Sequence, residues 1–307
     1  NLADDAVFYT REDSYDPAGN MTRLHHEQGP GGTATWTRHF GYAEHRPVDW
    51  APTPGSRPTT ATGGETAPNR LTNVGTSETV GRTHGYDPCG NLRSEGNSTY
   101  RWDFTDRLKG YEETASGQTS VTAGYAYNAD GTRVKKVVDK GDRREVSVYV
   151  DGIFEHHRLE TAGSDDTVSE NNELHVKAQD GRVAVRRVGT PFDDDRSFAD
   201  GPRPATEYHL PDHLGNSSIV TDASGGWINR EEYTPFGETA LGGYERKRYR
   251  YGGKERDEES GLYYHGARYY APWLCRWTTT DPAGHQDGLN RYLYVSNDPI
   301  RYSDPNG

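Results

Sequence analysis

Only two cysteines, Cys89 and Cys275, stand in 307 residues, which excludes a disulfide framework as the source of stability. Hydrophobic residues are scarce as well, at 31% with Tyr counted and a mean hydropathy of −1.03. A globular chain carries roughly 45–50% apolar residues with Gly included. A well-filled compact core of this size is therefore excluded, and a compact enzyme is disfavoured. No stretch approaches the roughly 18 consecutive apolar residues of a helical membrane span. Basic residues are in the minority, 35 against 47 acidic for a net charge of −12. That balance argues against nucleic acid or an anionic membrane surface as principal partner. No signal peptide is recognisable, and the chain begins at Asn1, which reads as an internal fragment or processed product with its targeting information elsewhere. Helix signals are almost absent: no apolar stripe at i, i+3, i+4, i+7 is sustained.

What the chain does have is aromatic and turn-forming residues. The 21 Tyr and 6 Trp are more than disordered chains carry. Gly 36 and Pro 17 make up about 17% of the chain, above the usual share of about 12%. Together these predict an extended, ordered β structure wet on two faces, such as a solenoid or thin shell. Short alternating runs at Val134–Val138, Val146–Val150, Val183–Val188, Tyr249–Tyr251 and Tyr292–Val295 read as strands. Asp130-Gly131, Asp151-Gly152 and Asp180-Gly181 suit type I′ hairpin turns, in which positive φ matches the strand twist. The expected fold class is all-β, a series of antiparallel hairpins.

A degenerate unit recurs: Tyr15-Asp16-Pro17-Ala18-Gly19-Asn20-Met21, then Tyr86-Asp87-Pro88-Cys89-Gly90-Asn91-Leu92, with weaker copies at Trp102–Leu108 and Tyr127–Val134. In each the aromatic ends a strand, Asp opens a turn, Gly supplies the left-handed residue, and the next strand leaves through a polar and an apolar position. Asp16 and Asp87 are expected to cap their own backbone. Residues 47–85, 161–173 and 189–204 read as polar insertions or loops. Asp193-Asp194-Asp195 lacks the alternate ligands and distal Glu of a Ca²⁺ loop and reads as solvated. His25-His26 and His156-His157 lack a second ligand pair at metal spacing, and exposed histidines are expected there.

These Tyr-Asp units resemble the YD repeats of the Rhs family, and the last hundred residues carry more specific motifs. They are Tyr208–Asn216, with Asp212-His213-Leu214-Gly215-Asn216 at its end; Tyr233-Thr234-Pro235-Phe236-Gly237-Glu238; Gly253–Asp257; Ser260–Tyr264; and Ala267-Arg268-Tyr269-Tyr270. The stretch from Arg268 to Gly307 resembles the Rhs-associated core domain. Ala271-Pro272-Trp273-Leu274, Asp281-Pro282-Ala283-Gly284 and Asp287-Gly288-Leu289-Asn290 are similar to the C subunits of insecticidal Tc toxins. The resemblance implies YD-repeat hairpins spiralling into part of a hollow shell (1–204), with a core or plug domain folded inside (205–307) that acts as an aspartic autoprotease. It implies as partners the protein's own C-terminal toxin domain as cargo, the remaining shell or a B-type subunit, and a pore-forming A subunit or an injection apparatus. It also implies export with a toxin complex, no membrane insertion by this segment and no cofactor.

Carried over by the same resemblance, the catalytic residues are Arg268, Asp281 and Asp304. Peptide hydrolysis by two carboxylates needs one ionised as general base toward water and the other protonated toward the scissile group. A neighbouring guanidinium can fix one carboxylate and stabilise a developing oxyanion. The competing reading is that Asp-Pro-x-Gly is an ordinary turn whose Asp caps its own backbone, and that Arg268 makes a structural ion pair. In the family the cut falls just after a residue that follows D-P-x-G, which sets it just beyond Gly307. Cys275 stands where the pattern has Gly, so strain is expected if that position needs φ > 0; the thiol, with no nearby His, is expected to be inert. The alternative from another class is a YD-repeat adhesion or carbohydrate-binding module, in which exposed Tyr and Trp stack on sugars.

Overall fold

A computed structural model describes residues 9–29, 35–42, 69–76, 81–164, 166–178, 181–189, 204–242 and 247–307. Among the described residues the regular structure is β throughout, broken only by three short 3₁₀ turns. The chain divides into two compact units, residues 1–96 with 283–292, and residues 97–282 with 293–307.

The first unit is an antiparallel meander of β1 (Tyr9–Tyr15), β2 (Met21–Gln28), β3 (Trp36–Tyr42), β4 (Leu71–Gly75), β5 (Arg82–Tyr86) and β6 (Leu92–Glu95), each paired with the next. Its small core is Leu24, Leu71 and Leu92, with essentially no exposure. Residues 283–292 close onto its turns: Asn290 Nδ2 donates to Asn20 Oδ1 at 2.7 Å, and Tyr292 Oη to the Gly90 carbonyl at 2.8 Å.

The second unit continues the pattern with β7 (Ser98–Trp102), β8 (Leu108–Ala115), β9 (Gln118–Tyr127), β10 (Arg133–Lys140), β11 (Arg143–Val150) and β12 (Phe154–Thr161). Then follow β13 (Thr167–Ala178), β14 (Gly181–Gly189), β15 (Thr206–Pro211), β16 (Ser217–Thr221), β17 (Trp227–Tyr233) and β18 (Thr239–Gly242). Every consecutive pair from β7 to β18 is antiparallel. A separate four-stranded sheet is built from two- and three-residue strands: β19 (Glu255–Arg256), β20 (Tyr263–Tyr264), β21 (Tyr269–Ala271) and β22 (Arg276–Trp277).

The repeat unit has a fixed geometry. In each copy the residue ending one strand pairs with the residue six positions on: Tyr15 with Met21, Tyr86 with Leu92, Trp102 with Leu108, Tyr127 with Arg133. The same offset returns at Pro211–Ser217, Thr221–Trp227 and Tyr233–Thr239, each time at a register shift that bends the strand. Between them the acidic side chain acts as a staple. Asp16 Oδ1 accepts from the amides of Ala18 and Asn20 (both 2.8 Å), and Oδ2 accepts from the Asn20 side chain at 2.9 Å. Asp87 and Asp212 do the same with Asn91 and Asn216. The left-handed residue is Gly19, Gly90 or Gly215, with φ of 78°, 95° and 79°. Asp16 and Asp87 are thus backbone caps, as expected.

Among the described residues, buried polar and charged side chains are as numerous as buried hydrophobic ones. The small sheet docks through charge rather than through an apolar face. Arg133 reaches Glu255 at 2.6 Å and Asp257 at 2.7 Å, while Lys136 reaches Asp257 at 2.8 Å and Glu259 at 3.6 Å. Burial pushes the Glu255 carboxyl up, but Arg133 and Lys136 outweigh it and bring it to about 2. Gly253–Asp257 therefore serves as the acidic half of a buried ion cluster. The aromatic core of this unit is Tyr251, Tyr263, Tyr270, Trp277 and Tyr294. The hydroxyls of Tyr251, Tyr270 and Tyr263 donate in turn to the carbonyls of Pro235, Phe236 and Gly237. That makes the Thr-Pro-Phe-Gly turn a socket for three tyrosines.

Several expectations are corrected. Residues 47–85 are not one loop, because they hold β4 and most of β5; Asn73 pairs with Thr83 and Val74 with Arg82 despite the polar composition. Most of 161–173 belongs to β12 and β13, whose cross-strand pairing overrides their polarity; only a tight turn near Ser164 interrupts. Residues 190–203, with Asp193-Asp194-Asp195, lie outside the described residues, as does Asp180. Tyr249–Tyr251 is one bridge and a 3₁₀ turn, and Tyr292–Val295 holds one bridge at Leu293, because their aromatics turn inward to the core instead of alternating. Asp151 and Gly152 both take positive φ in the turn closed by the Ile153 amide on the Val150 carbonyl at 3.1 Å, within a three-residue hairpin loop. Asp130-Gly131 instead sits in the longer turn stapled by Asn128.

Candidate active site

Arg268 stands just before β21, at the end of the tight turn His265–Arg268, which is closed by the His265 amide on the Arg268 carbonyl at 3.0 Å. Its guanidinium lies over the Trp277 ring at 4.1 Å, a stacking that fixes its plane. Nη2 stands 3.0 Å from Asp281 Oδ2 and 3.5 Å from Asp304 Oδ2. The Arg268 nitrogen thus stands beside two carboxylates that lie 13 and 36 positions further along the chain. Nε donates to the Gly307 carbonyl at 2.9 Å. Nη1 is buried and has no hydrogen-bond partner among the described residues. Burial lowers the Arg268 pKa, and the attraction of Asp281 and Asp304 offsets this only in part.

The Arg268 side chain is 6% exposed, while those of Asp281 and Asp304 are 23% and 25% exposed. The cation is sequestered and both carboxylates remain reachable by water. Asp304 divides its oxygens. Oδ1 accepts from the amides of Asn306 (3.1 Å) and Gly307 (2.8 Å), and Oδ2 faces Arg268. The turn reading and the ion-pair reading are therefore both true of Asp304, one on each oxygen. A cavity of about 1330 Å³ adjoins, lined by Asp304 and Pro305 on one side and by Lys177, Arg182, Lys254 and His265 on others.

One participant carries no sequence signal beyond its place three residues before Arg268. His265 is buried, and its Nδ1 lies 2.9 Å from the Asp304 carbonyl oxygen. A carbonyl only accepts, so Nδ1 carries the hydrogen and Nε2, buried with no hydrogen-bond partner among the described residues, is the unprotonated nitrogen. Burial, with help from the Lys254 ammonium, brings the His265 pKa down to about 3, so the ring is neutral at ordinary pH.

His157, expected to be exposed, is buried. Sequence proximity to His156 hid this, because alternate residues of β12 face opposite ways. Glu155, His157 and Glu173 offer ligand atoms within 4.8 Å of one another. The Arg248 guanidinium bonds both His157 and Glu173, so the cluster already has its cation. Burial pushes Glu155 up, but Arg248, His157 and His175 hold it well below the usual carboxylate range. Cys275 is buried with φ 55° and ψ 32°, the left-handed geometry that Gly would adopt freely.

No family model matches the chain. Among curated proteins it is 31% identical to toxin subunit YenC2 of Yersinia entomophaga over 325 aligned positions, covering 99% of this chain and 30% of the relative. It is 32% identical to toxin subunit YenC1 of the same organism over 220 residues, covering 68% of this chain and 22% of that relative. The chain thus spans less than a third of the length of these relatives. The crystal structure of TcdB2-TccC3-TEV superposes on 97% of this chain, and on 13% of its own, with a TM-score of 0.75 at 26% identity.

Proposed function

The chain is a Rhs/YD-repeat protein similar to the C subunits of Tc toxins, and from that premise we propose that it is part of a toxin-encapsulating shell whose residues 205–307 form an aspartic autoprotease. Its substrate is its own polypeptide just beyond Gly307, and the cut frees the downstream toxin within the shell. The remaining shell or a B-type subunit completes the container, a pore-forming A subunit or injection apparatus receives the cargo, and the whole is exported.

The observation that carries this reading is the single Arg268 nitrogen facing both Asp281 and Asp304. In the proposed reaction the ionised carboxylate takes a proton from water as the water oxygen bonds to the scissile carbonyl carbon. Negative charge gathers on that carbonyl oxygen, and the unpartnered Arg268 Nη1–H is available to stabilise it. The C–N bond then breaks as the protonated carboxylate gives its proton to the leaving nitrogen. Tethering the substrate supplies a high effective concentration, so modest chemistry suffices.

The test is intact mass spectrometry of the full-length protein as wild type, Asp281→Asn and Asp304→Asn. A wild-type cut just beyond Gly307 that both folded variants lack is the expected result. Equal cutting in all three leaves a passive shell trimmed by other proteases, and no cutting in any favours an adhesion module.

A further inference from the structure

Four consecutive carbonyls ahead of the proposed cut are each met by a different donor. The Asp304 carbonyl accepts from His265 Nδ1 (2.9 Å), that of Pro305 from Lys254 Nζ, that of Asn306 from the Ala267 amide (2.9 Å), and that of Gly307 from Arg268 Nε (2.9 Å). The two amides the segment has to offer, at Asn306 and Gly307, both end on Asp304 Oδ1; Pro305 has none. Every backbone polar group from the Asp304 carbonyl onward is therefore matched, as in a bound peptide.

Steric fit adds selectivity. Gly307 has φ +84°, and a Cβ there would stand 2.9 Å from the Arg268 backbone nitrogen and 3.2 Å from the His265 carbonyl oxygen. Those contacts are with backbone, which cannot swing aside. On the opposite wall Gly266 has φ +97°, and a Cβ there would meet the Asn306 carbonyl at 3.0 Å. The two chains thus approach through glycine on both sides. Asn306 itself is exposed and its side chain is not read.

We propose that residues 254–268 form a cradle for the segment that precedes the cut, with Gly307 its specificity-determining residue and with His265 and Lys254 as positioning residues that hold it for cutting. This rests on the autoprotease reading above and names its substrate recognition.

The test measures the rate and position of self-cleavage in the full-length protein as wild type, Gly307→Ala, His265→Asn, His265→Phe and Asp281→Asn. Gly307→Ala is expected to slow cutting at least tenfold. His265→Asn keeps a donor near the Nδ1 position and is expected to cut within about threefold of wild type, while His265→Phe falls at least tenfold. Wild-type cutting by folded Gly307→Ala overturns the proposal. If Gly307→Ala fails to fold, equal rates for His265→Phe and His265→Asn overturn it instead. If Asp281→Asn cuts like wild type, the autoprotease reading has failed and the cradle with it; if Asp281→Asn is silent while Gly307→Ala cuts normally, only the cradle has failed.

Discussion

The turns at Asp212 and Asp304 begin alike and end differently. Both open with an acidic residue whose Oδ1 gathers two backbone amides, and both carry a left-handed Gly three residues on. At Asp212 the second oxygen is taken by the Asn216 side chain at 2.7 Å, which closes the staple and leads into the next strand. At Asp304 the second oxygen is turned instead to Arg268. A structural turn becomes a candidate catalytic one when half of its carboxylate is released from turn-making. The difference lies in one oxygen atom.

The sharpest way to break that comparison is to exchange charge for amide in both turns. Asparagine keeps the Oδ1 acceptor and removes the charge, so Asp212→Asn should leave self-cleavage of the full-length protein within about twofold of wild type. Asp304→Asn should reduce it by a factor on the order of 10² or more, the usual worth of a positioned acid or base. Time courses of fragment appearance decide it, and equal effects would erase the distinction.

Acid should sharpen the comparison next, because only the Asp304 turn leans on a neutral buried histidine. His265 has a folded pKa of about 3 against an ordinary value of 6.5. Between these limits the unfolded chain binds a proton that the folded chain refuses. Stability from this group is complete above about pH 6.5 and is lost as pH falls toward 3, at about 1.4 kcal/mol per unit. Glu155, Glu231 and Glu255, all held low by basic partners, push the same way. Urea unfolding at pH 7 and pH 5 should show wild type losing about 2 kcal/mol more than His265→Asn. Equal losses would remove His265 from the account.

A smaller effect belongs to the staple. Asp212→Ala removes acceptors for three amides and should cost about 1–2 kcal/mol, the range of a lost cap. Midpoint shifts in urea measure it, and a value near zero would mean that the turn needs only its glycine. The smallest effect is expected at Cys275, left-handed at φ 55°. Cys275→Gly should raise stability by about 0.5–1 kcal/mol through relief of that backbone strain. A loss instead would show that the packing of the buried sulfur outweighs the strain.

Much of this was legible in the residues. Hairpins and turn staples follow from Tyr-Asp-Pro-x-Gly-Asn, because aromatic strand ends, Asx caps and left-handed glycines are local chemistry. The copy at Asp222 escaped notice because no tyrosine precedes it, although Ser224 and Gly226 donate to it just as in the others. Strands β4 and β13 were hidden by polar composition, since on a sheet wet on both faces pairing need not show as apolar alternation. The Arg268 trio was nominated only by family likeness, because nothing local unites residues 36 positions apart. His265, Lys254 and the Arg133–Asp257 cluster are products of long-range packing, and no periodicity announces them.

The filled cradle also bears on turnover. If the site cuts as proposed, donors already engaged by the adjoining chain meet their first substrate at close quarters and then again as bound product. A diffusing peptide must compete with a tethered occupant whose effective concentration is of millimolar order or higher. On the proposed autoprotease reading the enzyme is its own inhibitor after one cut, and other polypeptides nearby are spared.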